Sequence, residues 1–145
     1  MQHLYRYLPL LIISGLLLTS CATTQSISDE ARTEIFNSEY DQTFKAVVQT
    51  LSDDGYAIDN ADSETGIINT DYSNASTLEA FFTGDRRTKV NAILSESDAG
   101  TEVRLTVSVQ KKGTFSGWQS ATMTKAGARD YYEELFNRIS NEINS

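Results

Sequence analysis

The stretch TKVNAILSESDAGTEVRLTVSVQK (Thr88–Lys111) decides the fold, because its apolar and polar residues alternate. In its second half the apolar side chains of Val103–Val109 fall at every other position, with polar residues between them. Such alternation is typical of a strand with one buried side and one solvent-facing side. A short turn ending in Gly100 separates the halves, so we expect a β-hairpin with strands Thr88–Glu96 and Thr101–Lys111.

A further hairpin and two amphipathic helices surround this stretch. Strand patterns at Tyr56–Asp62 and Ile67–Tyr72 flank a turn that ends in Gly66. Apolar residues at helical spacing predict helices from about Glu39 to Asp54 and from about Lys125 to Asn144. The predicted order is therefore α-β-β-β-β-α. It indicates an α+β domain whose antiparallel sheet packs on one face against the helices.

The stretch FKAVVQTLSDDGYAIDNADSETGIINTDY (Phe44–Tyr72) resembles the repeated domains of the BamC/NlpB lipoproteins and of related envelope lipoproteins. Those domains begin with an amphipathic helix, followed by L-x-x-x-G-Y-x-I, an acidic turn with glycine and a second strand. The resemblance implies a helix-grip fold, in which a sheet wraps around a long C-terminal helix. We therefore expect a single helix-grip-like domain over residues 38–145.

The N-terminus resembles a bacterial lipoprotein signal peptide. Arg6 precedes the apolar run Leu8–Leu18, and Leu18-Thr19-Ser20-Cys21 resembles a lipobox. The run is too short to span a bilayer, which takes roughly 20 residues. Cys21 is also the chain's single cysteine. The sequence thus predicts a signal peptide at residues 1–20 and lipidation of Cys21.

Lipidation would place the domain in the cell envelope. In lipoproteins of this kind an aspartate after the cysteine usually retains the protein in the inner membrane, whereas this chain has Ala22. We therefore expect an outer-membrane anchor through acyl chains on Cys21, with the domain facing the periplasm. Residues 21–37 are polar and lack sustained periodicity, so they are interpreted as the lipidated cysteine and a tether, with a helical turn around Glu30–Phe36.

Charge and composition argue against several function classes. Removing residues 1–20 takes away Arg6 and His3, leaving 11 basic and 20 acidic residues, a formal charge of −9 and no histidine. Such an acidic chain is a poor nucleic-acid binder. Without histidine or a free thiol it also offers no Cys/His metal site and no Ser-His or Cys-His nucleophile pair. The sequence therefore predicts a protein without enzymatic activity, cofactor or metal.

Clustered carboxylates are the remaining source of catalysis or metal binding. Asp53 and Asp54 form one cluster, and Asp59, Asp62 and Glu64 form another. Neither has the spacing of an EF-hand. Both lie where acidic residues end helices or occupy turns, and we interpret them in that way.

Two segments carry candidate partner-binding residues. Asn74–Arg87 contains a capping-box pattern for a short helix and holds Phe81, Phe82, Arg86 and Arg87. Aromatic and arginine side chains are common binding hot spots, although the two phenylalanines are also suited to filling one end of the core.

The second segment is GTFSGWQS (Gly113–Ser120), which is predicted to be a loop carrying Trp118. On such a loop the tryptophan either binds a ligand, a protein or a membrane interface, or folds back as a lid over the sheet.

The expected function is a protein-interaction or adaptor module that binds another envelope protein, whose identity the sequence does not reveal. The alternative is a binding module for a lipid or another small ligand, held between the sheet and the C-terminal helix.

Overall fold

The structure is a computed structural model, and it describes residues 27–74 and 85–145. Cys21, Phe81, Phe82 and the short helix predicted within Asn74–Arg87 lie outside the described residues. The elements are a 3-10 turn Glu30–Arg32, β1 Thr33–Phe36, α1 Tyr40–Asp53, β2 Ile58–Asp62, β3 Ile67–Thr70, β4 Arg86–Ser97, β5 Gly100–Gly113, β6 Gly117–Ala121 and α2 Lys125–Ile143.

The six strands form one antiparallel sheet. Its order is β1-β5-β4-β3-β2, and β6 also pairs with β5. The hairpin β4–β5 is at the centre, with paired residues from Arg86↔Lys111 to Ser97↔Gly100. Because β4 occupies one edge of β5 along this length, β1 and β6 share the other edge. The predicted α+β class with an antiparallel sheet is confirmed.

Two of the six strands were not expected. β1 lies within residues 21–37, which were interpreted as tether, and it pairs with β5 from Thr33↔Arg104 to Phe36↔Thr101. The folded domain therefore starts before residue 38. β6 begins within Gly113–Ser120, which was predicted to be a loop, extends to Ala121, and pairs with the end of β5. That segment is the tip of a β-hairpin instead.

Both helices pack on the same face of the sheet and bury its apolar side chains. The predicted inward residues of β5, Val103 and Leu105, are fully buried, as are Val90 and Ala92 of β4. Fully or almost fully buried side chains of the helices meet them: Val47 and Leu51 from α1, and Leu135 and Ile139 from α2. Burying each of the valine, leucine and isoleucine side chains contributes about 1.5–3 kcal/mol, so this layer is the main source of stability.

Three buried tyrosines connect the helices and the sheet by hydrogen bonds. The hydroxyl of Tyr56 lies 2.8 Å from Thr88 Oγ1 and 3.0 Å from the hydroxyl of Tyr131. The backbone N–H of Val107 donates to the hydroxyl of Tyr132 at 3.2 Å. Burial raises the pKa of all three phenols.

The C-terminal end of α1 is joined to α2 by an ion pair. Asp54, which is 5 % exposed, accepts a hydrogen bond from the guanidinium of Arg138. Arg138 Nε also donates to Glu134 one turn earlier, at 2.9 Å. These two carboxylates hold the pKa of Arg138 above its usual value, Glu134 having the larger effect. Asp54 thus has a structural role in the packing of the helices.

Gly66 and Gly117 give a first prediction, since both have a left-handed backbone but differ in their surroundings. Their φ angles are +71° and +69°. A Cβ at residue 66 would lie 2.2 Å from the carbonyl oxygen of Leu94, whereas one at residue 117 meets nothing within 4 Å. Gly66→Ala is expected to cost about 3 kcal/mol, and Gly117→Ala about 1 kcal/mol from the backbone conformation alone.

Chemical denaturation of both variants measures these costs. Equal losses of unfolding free energy would show that Gly66 is not packed against Leu94 as described.

Candidate functional site

The side of the sheet away from the helices is uncovered in the described part of the chain, and we call it the open face. Side chains on β4 and β5 that alternate with the buried ones point to it. Its members include Ile35, Ile67, Asn69, Tyr72, Arg87, Lys89, Asn91, Ile93, Glu102, Arg104, Thr106, Ser108, Gln110, Lys112 and Trp118. Ile93, at the centre of this face, is 54 % exposed, and its cross-strand neighbour Ile67 is 37 % exposed.

A cation–aromatic cluster forms the most organised part of the open face. The guanidinium carbon of Arg87 lies 4.7 Å from the ring centroid of Tyr72 and 4.5 Å from that of Trp118. Lys89 adds a second cation, with its Nζ 5.4 Å from the centroid of Tyr72. Each distance is within the range of a cation–π attraction. The Arg87 side chain is therefore held in place before any ligand arrives.

Strand register positions these residues. Arg87 faces Gln110 across the β4–β5 pair, and its Nε donates to Gln110 Oε1 at 2.8 Å. Trp118 reaches the cluster because β6 pairs with β5. This pairing places Trp118 opposite Lys112, on the same face of the sheet as Gln110. Tyr72 follows β3, where Ser73 pairs with Thr88 of β4 through an isolated bridge. Three separate parts of the chain thus meet at one end of the open face.

This end of the sheet is basic in an otherwise acidic chain. Residues 85–89 and 108–121 contain five cations, namely Arg86, Arg87, Lys89, Lys111 and Lys112, and a single acid, Asp85. We call these two segments the basic end. The opposite end carries the turns Ser63–Gly66 and Ser97–Gly100 and the start of α1. It is acidic, with Glu39, Asp41, Asp62, Glu64, Glu96 and Asp98.

The structure brings three of the predicted partner-binding residues to this end and adds others. Arg86, Arg87 and Trp118 all lie there, Arg86 opposite Lys111 and Trp118 half-buried on a strand. Tyr72 and Gln110 were missed. The sequence contains a signal for Gln110, because cross-strand register within the predicted β4–β5 hairpin already places it opposite Arg87.

Three of the carboxylates interpreted as turn and helix-end residues accept hydrogen bonds, namely Asp53, Asp54 and Asp62. Asp62 Oδ1 accepts hydrogen bonds from the backbone N–H groups of Glu64, at 2.9 Å, and Thr65, at 3.3 Å. Hydrogen bonds from Thr65 and Glu64 lower the pKa of Asp62. Over residues 27–74 and 85–145, no group of three or more His, Cys, Asp or Glu side chains is arranged to hold a metal ion.

The interior between the sheet and α2, where the alternative function would place a ligand, is occupied by side chains. Tyr131, Leu135 and Ile139 of α2 are at most 2 % exposed and belong to one cluster with the sheet residues. The clefts described lie on the outside, one of them between β1 and α2 with about 500 Å³. A small ligand between sheet and helix remains a prediction, and the described geometry favours the open face as the site.

No helix within the described ranges combines the length and apolar character that crossing a bilayer requires.

Comparison of the chain with protein-family models and with curated proteins found no match.

Proposed function

We propose that the protein is a non-enzymatic envelope lipoprotein, anchored by acyl chains on Cys21 in the outer membrane and facing the periplasm. Its open face binds an envelope protein that presents acidic and apolar side chains. The observation that carries this proposal is the cluster of Arg87, Tyr72 and Trp118 on an uncovered sheet.

The cluster has the physical properties of a binding hot spot. Tryptophan, tyrosine and arginine are the residue types over-represented in such spots. An arginine already held by two rings and by Gln110 loses little conformational entropy when a carboxylate approaches it. Only the Nε of its five N–H donors is hydrogen-bonded within the described residues. The planar guanidinium can therefore still donate hydrogen bonds to a carboxylate of the partner.

The neighbouring apolar side chains supply contact area without charge. Ile67 and Ile93 lie side by side on the open face, in the middle of the sheet. Arg104 is opposite Ile93 on β5, so a cation also borders this pair. A partner that covers the cluster and these isoleucines would combine a desolvated centre with a charged surround, as stable interfaces do.

The anchor contributes through effective concentration. A domain tied to the membrane by a short segment meets membrane-bound partners as if in an intramolecular reaction. A partner affinity that is weak in solution is then sufficient at the membrane. This mechanism requires no enzymatic step.

Photo-crosslinking in cells tests the proposal. A photoreactive residue at Ile93, which is 54 % exposed, would sample the open face, and one at Lys45 on α1 would sample the helical face. We expect one predominant adduct from residue 93 and none of that size from residue 45. Lys89→Glu should reduce the adduct several-fold, because it reverses a charge beside the cluster. Lys45→Glu is the matched control and should leave the yield unchanged.

Two results would contradict the proposal. One is a set of adducts from both positions that follows the abundance of bystander proteins. The other is an equal effect of the two charge reversals, which would reflect net charge alone.

A further inference from the structure

We propose that the tip of the β5–β6 hairpin, residues 111–117, contacts the surface of an anionic phospholipid bilayer and so fixes the orientation of the domain. The inference rests on the proposed anchor at Cys21 and adds a second membrane contact. Phe115 at this tip is 100 % exposed, and the exposed Lys111 and Lys112 precede it. An aromatic ring beside lysines suits the boundary between lipid headgroups and acyl chains.

The short chain between the anchor and the domain is the first argument. Ile27 already packs against the core, and the 3-10 turn Glu30–Arg32 contacts β5 and α2. Six Cα–Cα steps separate Cys21 from Ile27, which span about 20 Å at most. A lipid on Cys21 therefore holds the folded domain against the bilayer surface, with little freedom to move away.

The direction of β1 is the second argument. β1 runs antiparallel to β5 and pairs with it from Phe36↔Thr101 to Thr33↔Arg104. The 3-10 turn Glu30–Arg32, just before Thr33, contacts β5 and α2, so the described chain enters the sheet beside β5. From Leu105 to Gly113, β5 continues toward the hairpin tip over nine residues, whose eight steps span about 27 Å. The hairpin tip therefore lies well beyond the point at which β1 joins β5, at a distance comparable with the greatest length of the segment from Cys21 to Ile27.

Charge distribution is the third argument. The hairpin tip belongs to the basic end, whose two segments contain five cations and one acid. The opposite end carries six acids on its turns and at the start of α1. An anionic surface attracts the first end and repels the second. The domain would therefore stand with the hairpin tip on the bilayer, and the open face, which carries Arg87 and Ile93 farther along the strands, would remain free for the partner.

Site-directed spin labelling of the full-length, lipidated chain tests this orientation. With Cys21 acylated, Ser116→Cys provides the single free thiol at the tip, and Ala99→Cys provides one in the turn at the opposite end. Both positions are exposed. The labelled proteins are reconstituted into vesicles of phosphatidylethanolamine and phosphatidylglycerol. The collision rates of each label with oxygen and with a water-soluble nickel complex are then compared.

We expect the label at residue 116 to favour oxygen, as in the interfacial region, and the label at residue 99 to favour the nickel complex. Combining Phe115→Ser with Lys111→Glu and Lys112→Glu should return the label at residue 116 to water, while the protein stays bound through its lipid. Vesicles of phosphatidylcholine alone should weaken the contact, since they lack negative charge.

The possible failures are distinguishable. If the protein remains on the vesicles but both labels are equally accessible to nickel, the hairpin inference is wrong and the anchor stands. If the protein carries no acyl chain and does not bind vesicles, the anchoring proposal itself is wrong. A tip that is water-exposed on vesicles but crosslinks to a protein in cells would overturn the lipid contact in favour of a protein partner.

Discussion

Replacing Cys21 with serine is expected to release the protein from the membrane fraction and to abolish its incorporation of labelled fatty acid. The thioether that carries a lipoprotein's diacylglycerol requires a cysteine sulfur, and the chain has no second cysteine to substitute for it. Each buried CH₂ group contributes about 0.8 kcal/mol to membrane binding. A single myristoyl chain gives only marginal anchoring, whereas two or three chains give stable anchoring.

Fractionation of cells and labelling with a fatty-acid analogue measure this effect. Ala22→Asp is a useful companion, because the lipobox resemblance implies that it changes sorting without preventing acylation. We expect the Ala22→Asp protein to remain labelled but to shift from the outer to the inner membrane. Unchanged membrane association and labelling of Cys21→Ser would refute the anchor. The short tether and the effective-concentration argument would then no longer apply.

The central hairpin and both helices could be predicted because their signals are local and repeated. Alternation in Val103–Val109 specifies a half-buried strand, and the structure buries Val103 and Leu105 completely. The helix predicted from about Glu39 to Asp54 is observed as Tyr40–Asp53, and that from about Lys125 to Asn144 as Lys125–Ile143. Each of these patterns extends over several turns or strand positions. Errors at single residues therefore do not change the result.

The two missed strands are short and depend on partners distant in sequence or on an unusual turn. β1 has four residues, Thr33–Phe36, and only Phe36 is buried. Its conformation is stabilised by pairing with β5, about 70 residues later, which no local pattern shows. β6 is five residues long and has no buried residue. The glycines on either side of Thr114-Phe115-Ser116 suggested a flexible loop, whereas they permit a tight hairpin turn.

The candidate site could be predicted only in part, because residue type can be read from the sequence but tertiary contacts cannot. Arg87 and Trp118 were identified by residue type, which requires no knowledge of the fold. The contacts of Arg87 with Tyr72 and with Trp118 depend on how β3, β4, β5 and β6 are arranged in the sheet, and β6 is one of the two strands that were missed. Likewise, the burial of Asp54 results from packing of α2 against α1 and from its pairing with Arg138. Tertiary contacts, not local pattern, determine these features.

Raising the pH above about 10 is expected to destabilise the domain progressively, because burial favours the protonated form of its buried tyrosines in the folded state. Tyr56, Tyr131 and Tyr132 are between 2 and 4 % exposed. Burial is the main cause that raises each pKa, and for Tyr131 the nearby phenol of Tyr56 adds to it. In the unfolded chain these phenols ionise near pH 10, whereas in the folded domain they ionise at higher pH.

The sign follows from the protons bound in each state. Below about pH 10 both states hold the phenolic protons, so stability does not depend on them. Above it the unfolded state loses protons that the folded state keeps. Stability therefore falls by about 1.4 kcal/mol per pH unit for each phenol still protonated in the folded domain. At about pH 11 Tyr131 alone accounts for a loss of about 1.4 kcal/mol, and the raised pKa values of Tyr56 and Tyr132 add to it.

Matched tyrosine-to-phenylalanine variants separate this effect from other alkaline changes. Tyr131→Phe removes one titrating phenol from the core and should make the fall in stability with pH shallower, by about 1.4 kcal/mol per unit. It also removes the hydrogen bond to Tyr56, so its stability at neutral pH should be lower, by about 1 kcal/mol. Tyr72→Phe is the control for removing a phenol outside the core, because Tyr72 is half-exposed on the open face.

Circular dichroism and the tyrosinate absorption band, followed together during the pH titration, provide the measurement. If the buried phenols ionise only on unfolding, part of the tyrosinate signal will appear at the same pH at which the secondary structure is lost. Variants with equal slopes, or complete ionisation of the tyrosines while the helices persist, would contradict the buried network. In that case α2 would not pack against Tyr56 and Thr88 as described, and the inner layer that holds the open face in position would have to be revised.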